Sequence, residues 1–384
     1  MLYIVKKLDT PIKKNFVAYL LNVGVNLLNQ IVLVHFYLAF WKIELYSDWI
    51  VLTAITVFFS MSDTSLNTVI QNRFSISLSQ NRYQECQSLI VCNVFLVTII
   101  FLLSIFVSIL YLNIFDITDN MNLIILNRDD ASSVFFILII GVFIRMYAAI
   151  ENSIFRAFHK NNICVLIDTV TNLSIFVITL LCVMCGFSVV ILSVFITIPS
   201  LVSIRIKHYY SKRYFEYSIS YKNIDSGLLK EVFKASVSFM FFPLGYAVLI
   251  QGFTLVVNKY LGANSVVQFN TTRTMCNFLK TLTGTIQNSI WPEFSIAYGK
   301  KNYVYMHILL YKVVVYSLAI VLLVSLVLFL FGPLIYKLWL KGEVEFNYSL
   351  MLSFLIVLFF SVLWNTNGIT LYSTNNHIML SVYL

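Results

Sequence analysis

Residues 88–112 read SLIVCNVFLVTIIFLLSIFVSILYL, a run without a single charged side chain. An α-helix rises about 1.5 Å per residue, so a run of this length crosses a hydrocarbon core of about 30 Å. About ten predominantly apolar stretches of comparable length follow one another along the chain. This repetition predicts an all-α polytopic membrane protein.

The composition excludes the ordinary soluble class. Apolar residues make up 59% of the 384 positions and charged residues only 11%. A soluble protein of this size lacks the polar residues to cover that much apolar surface, whereas lipid removes the need. The predicted spans are residues 16–40, 49–70, 88–112, 132–154, 163–184, 187–206, 233–257, about 264–290, 308–336 and 347–372.

The basic residues sit in every second gap between these spans. Of the 26 Lys and Arg, eighteen fall in alternate gaps or at the span ends beside them, five in the other gaps and three deeper within spans. Because cytoplasmic loops of membrane proteins carry an excess of Lys and Arg, this bias predicts a cytoplasmic N-terminus. Lys13 and Lys14 lead directly into the first apolar run without a cleavage pattern, so we expect that helix to remain as an anchor. No basic block of the kind that binds nucleic acid is present.

Motifs for catalysis are missing from the sequence. It contains no nucleophile-elbow, zinc-protease or phosphate-loop pattern. The five His have no metal-ligating neighbour at useful spacing, and the gaps predicted to lie outside are too short for an external catalytic site. We therefore expect no enzymatic activity, no cofactor and no metal.

The eighth span carries the clearest polar pattern. Arg273, Asn277, Lys280, Gly284 and Gln287 recur at steps of four, three, four and three, so they share one helix face. An ionisable group within a span costs several kcal/mol if it faces lipid. The pattern predicts that these cations and amides line a cavity for water or an anion. The alternative is that both cations reach toward opposite membrane interfaces.

Three acids also lie within predicted spans. Asp63 belongs to a polar stripe on the second span, Glu151 ends the fourth and Asp168 lies in the fifth. They either couple transport to protons or cations, or they hold helices together through interhelical bonds. Arg145 in the fourth span is either an ion-pair partner of Glu151 or Asp168, or a further cation for the ligand.

The predicted organisation has two bundles. Residues 1–206 hold six spans, residues 207–232 form a cytoplasmic linker, and residues 233–384 form a second bundle of about four spans. Tyr and Lys/Arg alternate in the linker, as is common in the headgroup zone.

Three stretches carry a resemblance to a known family. Tyr46–Arg82, YSDWIVLTAITVFFSMSDTSLNTVIQNRFSISLSQNR, resembles the second-span signature of Wzx-type polysaccharide flippases. Phe269–Asn302, FNTTRTMCNFLKTLTGTIQNSIWPEFSIAYGKKN, is similar to the eighth span of that family, and Trp364–His377, WNTNGITLYSTNNH, to the end of its tenth. Within these stretches Trp49, Asp63, Arg273 and Pro292 match.

The resemblance implies a fold and a function. It implies a MATE-like flippase of the multidrug/oligosaccharidyl-lipid/polysaccharide exporter superfamily, with two bundles facing a central cavity and with the last two of twelve helices missing here. It implies that an undecaprenyl-diphosphate-linked oligosaccharide, an O-antigen or related lipopolysaccharide repeat unit, passes by alternating access from the inner to the outer leaflet of the bacterial cytoplasmic membrane. Other membrane proteins of polysaccharide assembly are expected partners. The alternatives are a MATE-like multidrug exporter coupled to cations and, further off, a membrane glycan polymerase.

Overall fold

The computed structural model describes residues 10–121, 123, 125–220, 225–340 and 345–375. These residues form helices and no strand, which confirms the predicted all-helical class for this part of the chain. In chain order the helices are α1 Thr10–Ser79, α2 Tyr83–Ile114, α3 Ile117–Met121, α4 Arg128–Ile150, α5 Asn152–Ala157, α6 Asn161–Met184, α7 Val189–Phe195, α8 Ile198–Ser211, α9 Ser226–Gly299, α10 Tyr303–Leu340 and α11 Tyr348–Ser373.

Six helical segments in the described residues are long and apolar enough to cross a membrane. They coincide with the predicted spans three to six, nine and ten, because long apolar runs form helices that satisfy their own backbone hydrogen bonds in lipid. The six are Tyr83–Ile114, Arg128–Ala157, Asn161–Met184, Val189–Ser211, Tyr303–Leu338 and Tyr348–Ser373.

Helix α1 contains predicted spans one and two and folds back on itself. Near its start, the Tyr19 hydroxyl accepts a hydrogen bond from Asn161 Nδ2 at 3.4 Å. Near its end, Gln71 Oε1 accepts one from Arg156 Nη1 at 2.6 Å. On a straight helix Tyr19 and Gln71 would lie about 78 Å apart. Since both reach the short region that joins α5 to α6, the two halves of α1 must run antiparallel.

The reversal of α1 lies in its middle. The rings of Tyr37 and Tyr46 are 5.0 Å apart, and those of Trp41 and Trp49 are 6.0 Å apart. Residues at these separations would be about 12 Å or more apart along a straight helix. Residues 41–48, which the hydropathy pattern predicts to be a loop, thus keep helical hydrogen bonding while aromatic side chains pack across the bend.

The order of helices repeats in the two halves of the chain. A helix of 70 residues, α1, precedes α2, and a helix of 74 residues, α9, precedes α10. Each long helix ends in the same turn, with Asn81 or Lys301 in the left-handed conformation at φ 60° and 55°. In both turns the N–H of the next residue bonds to the carbonyl five positions earlier at 2.9 Å. This is the Schellman end of a helix, and it also follows α5 at His159 and α6 at Gly186. The internal repeat therefore depends on the order and length of the helices, and no sequence similarity reveals it.

The chain divides into two compact units. The first unit is Val17–Met240, and the second unit combines Met1–Phe16 with Phe241–Leu384. Asn15, at the start of α1, accordingly donates to the Ser289 carbonyl of α9 at 3.1 Å. The predicted bundle limits at 206 and 233 stay a prediction.

The second unit has an apolar core between α9, α10 and α11, formed by Met275, Cys276, Leu279, Val321, Leu328, Tyr336, Met351, Leu355, Leu358 and Val362.

Gly186 in the turn between α6 and α7 gives a test of this backbone. Its φ is +71°, and a Cβ placed there would meet no atom within 4 Å. Gly186→Ala should therefore lower the free energy of unfolding by about 1 kcal/mol through backbone strain alone. Gly186→Asn should lose less, because Asn tolerates this conformation. Thermal unfolding of the purified protein measures both effects.

Gly24 is the matched control. A Cβ at Gly24 also meets no atom within 4 Å, but the residue lies in helical backbone inside α1. Gly24→Ala should leave the unfolding temperature unchanged or raise it, because Ala favours helix more than Gly. Equal unfolding temperatures for the two Ala variants would contradict the strain at Gly186.

Candidate functional site

Two cations lie on one side of α9 in the second unit. Arg273 and Lys280 are two helical turns apart, and both are partly exposed. The guanidinium carbon of Arg273 lies 5.6 Å from the centre of the Phe269 ring, a cation–π contact that restrains its side chain. We call Arg273 and Lys280 the cationic face. Cations spaced in this way can bind an anionic group by charge-assisted hydrogen bonds.

The remaining predicted site residues lie on three different helices. The Gln287 amide donates from Nε2 to the Thr366 hydroxyl at 3.0 Å, so it links α9 to α11. The side chain of Asn277 lies outside the described residues, and so does that of Asp63 in α1. Arg145 lies on the exposed side of α4 in the first unit.

Asp168 and Lys207 form an ion pair in the first unit. Lys207 Nζ lies 2.7 Å from Asp168 Oδ1, and it donates to Asn152 Oδ1 at 2.9 Å. The Lys207 side chain is only 1% exposed, whereas that of Asp168 is 40% exposed. A buried ammonium is tolerated only when oxygens around it replace water. The pair therefore ties α8 to α6 and to the start of α5.

Glu151 lies beside this pair and accepts three hydrogen bonds. His208 Nδ1 lies 2.8 Å from its carboxylate, the Ser211 hydroxyl 2.6 Å and the Tyr217 hydroxyl 2.6 Å. Tyr217 belongs to the segment after α8. Burial, and next the negative charge of Glu151 and its hydrogen bond, raise the pKa of Tyr217. We call Glu151, Asn152, Asp168, Lys207, His208, Ser211 and Tyr217 the acid network.

The sequence pattern does not indicate the basic residues of this network, Lys207 and His208. It left open a pair between Arg145 and one of the acids, whereas the structure pairs Asp168 with Lys207 and Glu151 with His208. The hydropathy pattern ends the sixth span at residue 206 and so places Lys207 in the following gap. In the structure, α8 continues past Lys207 to Ser211. A signal was present in the sequence, because α8 buries a polar stripe at helical spacing: Ser200, Ser203, Lys207 and Ser211.

Amide side chains on the first two predicted spans connect α1 to other helices. Asn22 Nδ2 donates to the Thr169 hydroxyl of α6 at 3.2 Å. Asn93 Nδ2 of α2 donates to Asn67 Oδ1 at 2.9 Å, and both residues are buried. These contacts fit the packing alternative for polar residues within spans.

Comparison with known proteins identifies the fold. No protein-family model matches the chain, and no curated protein matches it. Among solved structures, a point mutant of a MATE protein is 15% identical with a TM-score of 0.81, and the match covers 99% of this chain and 86% of that one. An outward-facing multidrug resistance MATE family transporter of the MOP superfamily is 14% identical with a TM-score of 0.79, over 97% and 85% of the two chains.

The chain has the MATE fold.

A further structure with this fold is a MOP superfamily transporter from Pyrococcus furiosus. It is 15% identical to this chain, with a TM-score of 0.75 over 98% and 86% of the two chains, and it is described as having a binding pocket of reverse polarity that suggests a different function. The last two of these solved structures are described as transporters. The likeness confirms the predicted fold class of this chain, and a fold alone does not specify a function.

A double-mutant cycle tests the ion pair of the acid network. Asp168→Asn leaves the buried Lys207 ammonium without its counter-charge, so we expect a loss of about 2–3 kcal/mol in the free energy of unfolding, less than for a fully buried pair because Asp168 is partly exposed. Lys207→Met should cost less, since Asp168 can reach solvent. Unfolding of the purified protein in detergent measures the cycle.

The double variant Asp168→Asn/Lys207→Met should recover part of the loss. The matched control is the exposed pair of Arg128 and Asp116, whose charged atoms lie 3.7 Å apart. Asp116→Asn should leave the unfolding temperature nearly unchanged, because water screens an exposed pair. Additive effects of the two substitutions at Asp168 and Lys207 would contradict the pairing.

Tyr217 provides a test by pH. Its pKa is higher in the folded than in the unfolded chain, so its contribution to stability is present below about pH 10 and is lost as pH rises further. Tyr217→Phe should cost about 1.5 kcal/mol at pH 7 through the lost bond to Glu151, and should flatten the decline above about pH 10. Thermal unfolding across pH measures both, with the exposed Tyr83→Phe as control. Parallel pH curves for the wild type and Tyr217→Phe would refute the assignment.

Proposed function

We propose that this protein moves an undecaprenyl-diphosphate-linked oligosaccharide, such as an O-antigen repeat unit, from the inner to the outer leaflet of the bacterial cytoplasmic membrane. The observation that carries the proposal is the cationic face. Arg273 and Lys280 lie within a helix of the second unit, partly exposed and two turns apart. A cation within a membrane-spanning helix is stable only where it contacts a partner group or an aqueous site.

The chemistry of the substrate fits these two side chains. A diphosphate is a compact anion whose oxygens accept charge-assisted hydrogen bonds, and Arg binds such oxygens in a bidentate manner. The polar head group cannot cross hydrocarbon alone, since an unpaired charge there is very costly. The apolar tail, in contrast, is stable in lipid throughout the passage. We propose that the cationic face binds the diphosphate. The role predicted for Arg145 of α4 as a further cation stays a prediction.

The acid network favours an anionic over a cationic substrate. A multidrug exporter for cations needs carboxylates that are available to its ligand. In the described part of the first unit, Asp168 is already matched by Lys207, and Glu151 already accepts three hydrogen bonds. The fold is shared with a multidrug resistance transporter, so it does not distinguish an anionic from a cationic substrate. These residues are the basis for that distinction.

Transport by alternating access follows from the same proposal. The head group would be bound from the cytoplasmic side and released on the opposite side, as in transporters built from two related halves. The internal repeat of α1–α2 and α9–α10 is the architecture that such cycles use. We further propose that the eighteen basic residues in alternate gaps place the N-terminus in the cytoplasm.

Complementation of a flippase-deficient strain tests the proposal. Arg273→Ala and Lys280→Ala should each reduce surface polysaccharide about tenfold or more at unchanged protein level, since each removes a charge-assisted bond worth about 1.5–3 kcal/mol. Arg273→Lys should retain part of the activity, because the charge remains. Immunoblots of membranes and of surface polysaccharide give the two readouts.

Lys337→Ala is the matched control, since Lys337 is an exposed cation on α10 of the same unit. It should leave surface polysaccharide unchanged. Wild-type polysaccharide levels in both Arg273→Ala and Lys280→Ala would overturn the cationic face as the substrate site. Export of a cationic drug by the wild type, without restoration of polysaccharide, would favour the multidrug alternative.

A further inference from the structure

The end of α8 presents cations that no described acid neutralises. Arg205, Lys212 and Arg213 are exposed, and none of them forms an ion pair with a carboxylate in the described part of the chain. Glu216, the nearest acid along the chain, is exposed and likewise has no ion pair with a described cation. Exposed cations are stable in water, and several of them close together produce a positive potential that attracts anions.

One of these cations is held in place by aromatic rings. The guanidinium carbon of Arg213 lies 4.8 Å from the centre of the Tyr209 ring and 5.2 Å from that of Tyr210. Arg213 Nη2 also donates to the Tyr209 hydroxyl at 2.8 Å. A guanidinium has five N–H donors, so this arrangement orients the group and leaves donors for a ligand. We call Arg205, Tyr209, Tyr210, Lys212 and Arg213 the basic–aromatic stripe.

An apolar surface runs along α8 up to this stripe. Ile198, Leu201, Val202 and Ile206 are all exposed, by between 39% and 50%. They belong to the candidate span Val189–Ser211, so their exposed surface faces acyl chains. Arg205 and Tyr209 are one turn apart and continue the same side of the helix. A ligand that fits must therefore join an apolar chain to an anionic head.

We propose that the basic–aromatic stripe binds the phosphate of an anionic phospholipid of the surrounding membrane, whose acyl chain lies along Ile198–Ile206. Arg205 and Arg213 contact the phosphate oxygens, Lys212 adds charge, and Tyr209 orients Arg213. Aromatic rings and cations are both favoured at the depth of lipid head groups. The site lies in the first unit, whereas the cationic face belongs to the second, and it does not depend on the proposed substrate.

Lipid binding to the full-length protein tests this site. The protein is purified, delipidated and placed in nanodiscs of phosphatidylcholine with increasing phosphatidylglycerol, and bound lipid is counted by native mass spectrometry. Each basic residue near anionic lipid contributes about 1 kcal/mol, so Arg205→Ala/Arg213→Ala should weaken retention of phosphatidylglycerol by about 10- to 30-fold. Lys337→Ala on α10 should leave retention unchanged.

Two further variants keep the test decisive if the double Ala variant fails to fold. Arg205→Lys/Arg213→Lys retains the charge but loses the stacked guanidinium, so it should retain part of the binding. Tyr209→Phe, which removes only the orienting hydroxyl, should weaken retention severalfold. Equal retention of phosphatidylcholine and phosphatidylglycerol by the wild type would overturn the proposal. So would displacement of phosphatidylglycerol by a short polyprenyl diphosphate at equal concentration, because the site would then belong to a diphosphate-linked lipid.

Discussion

A lysine ammonium buried within a membrane-spanning segment must be neutralised where it lies. Lys207 meets this constraint through Asp168 and Asn152, and it thereby connects three helices of the first unit. Without these oxygens the burial of the charge would be too costly for the helix to pack as it does. The contacts of Lys207, with the bonds from His208 and Ser211 to Glu151, therefore connect α8 to α5 and α6.

The neighbouring Glu151 connects the membrane span to the segment that follows it. It is buried, and it accepts hydrogen bonds from His208 and Ser211 at the end of α8 and from Tyr217 in the following segment. The segment that leads toward α9 is thus attached to the first unit through a carboxylate. A second attachment comes from Arg73 of α1, which lies 3.5 Å from Glu231 near the start of α9 and 2.8 Å from Glu85 of α2.

These contacts divide the charged residues of the spans into two groups with different roles. Glu151 and Asp168 are matched by internal donors and stabilise the packing of helices. The cationic face on α9 and the basic–aromatic stripe on α8 are partly or fully exposed, and the two proposed anionic ligands depend on them.

The hydropathy pattern predicted the helices correctly where an apolar run ended in polar residues, as at 88–112. It misplaced the region 41–48, since a composition typical of a loop is compatible with helical hydrogen bonding when Trp41 and Trp49 pack across a bend. Helical spacing also placed Arg273 and Lys280 on one face. It could not reveal that Gln287 bonds to Thr366, because that contact joins residues 79 positions apart.

The amino-acid sequence is sufficient to predict a bundle of membrane-spanning helices and the residues that share a helix face, because both follow from local hydrophobicity and the period of the helix. The folded structure was needed to show which charges are paired, that α1 folds back on itself, and that the two halves repeat. Those properties arise from contacts between distant segments, and the free energy of such a contact depends on burial and distance, which no local pattern contains.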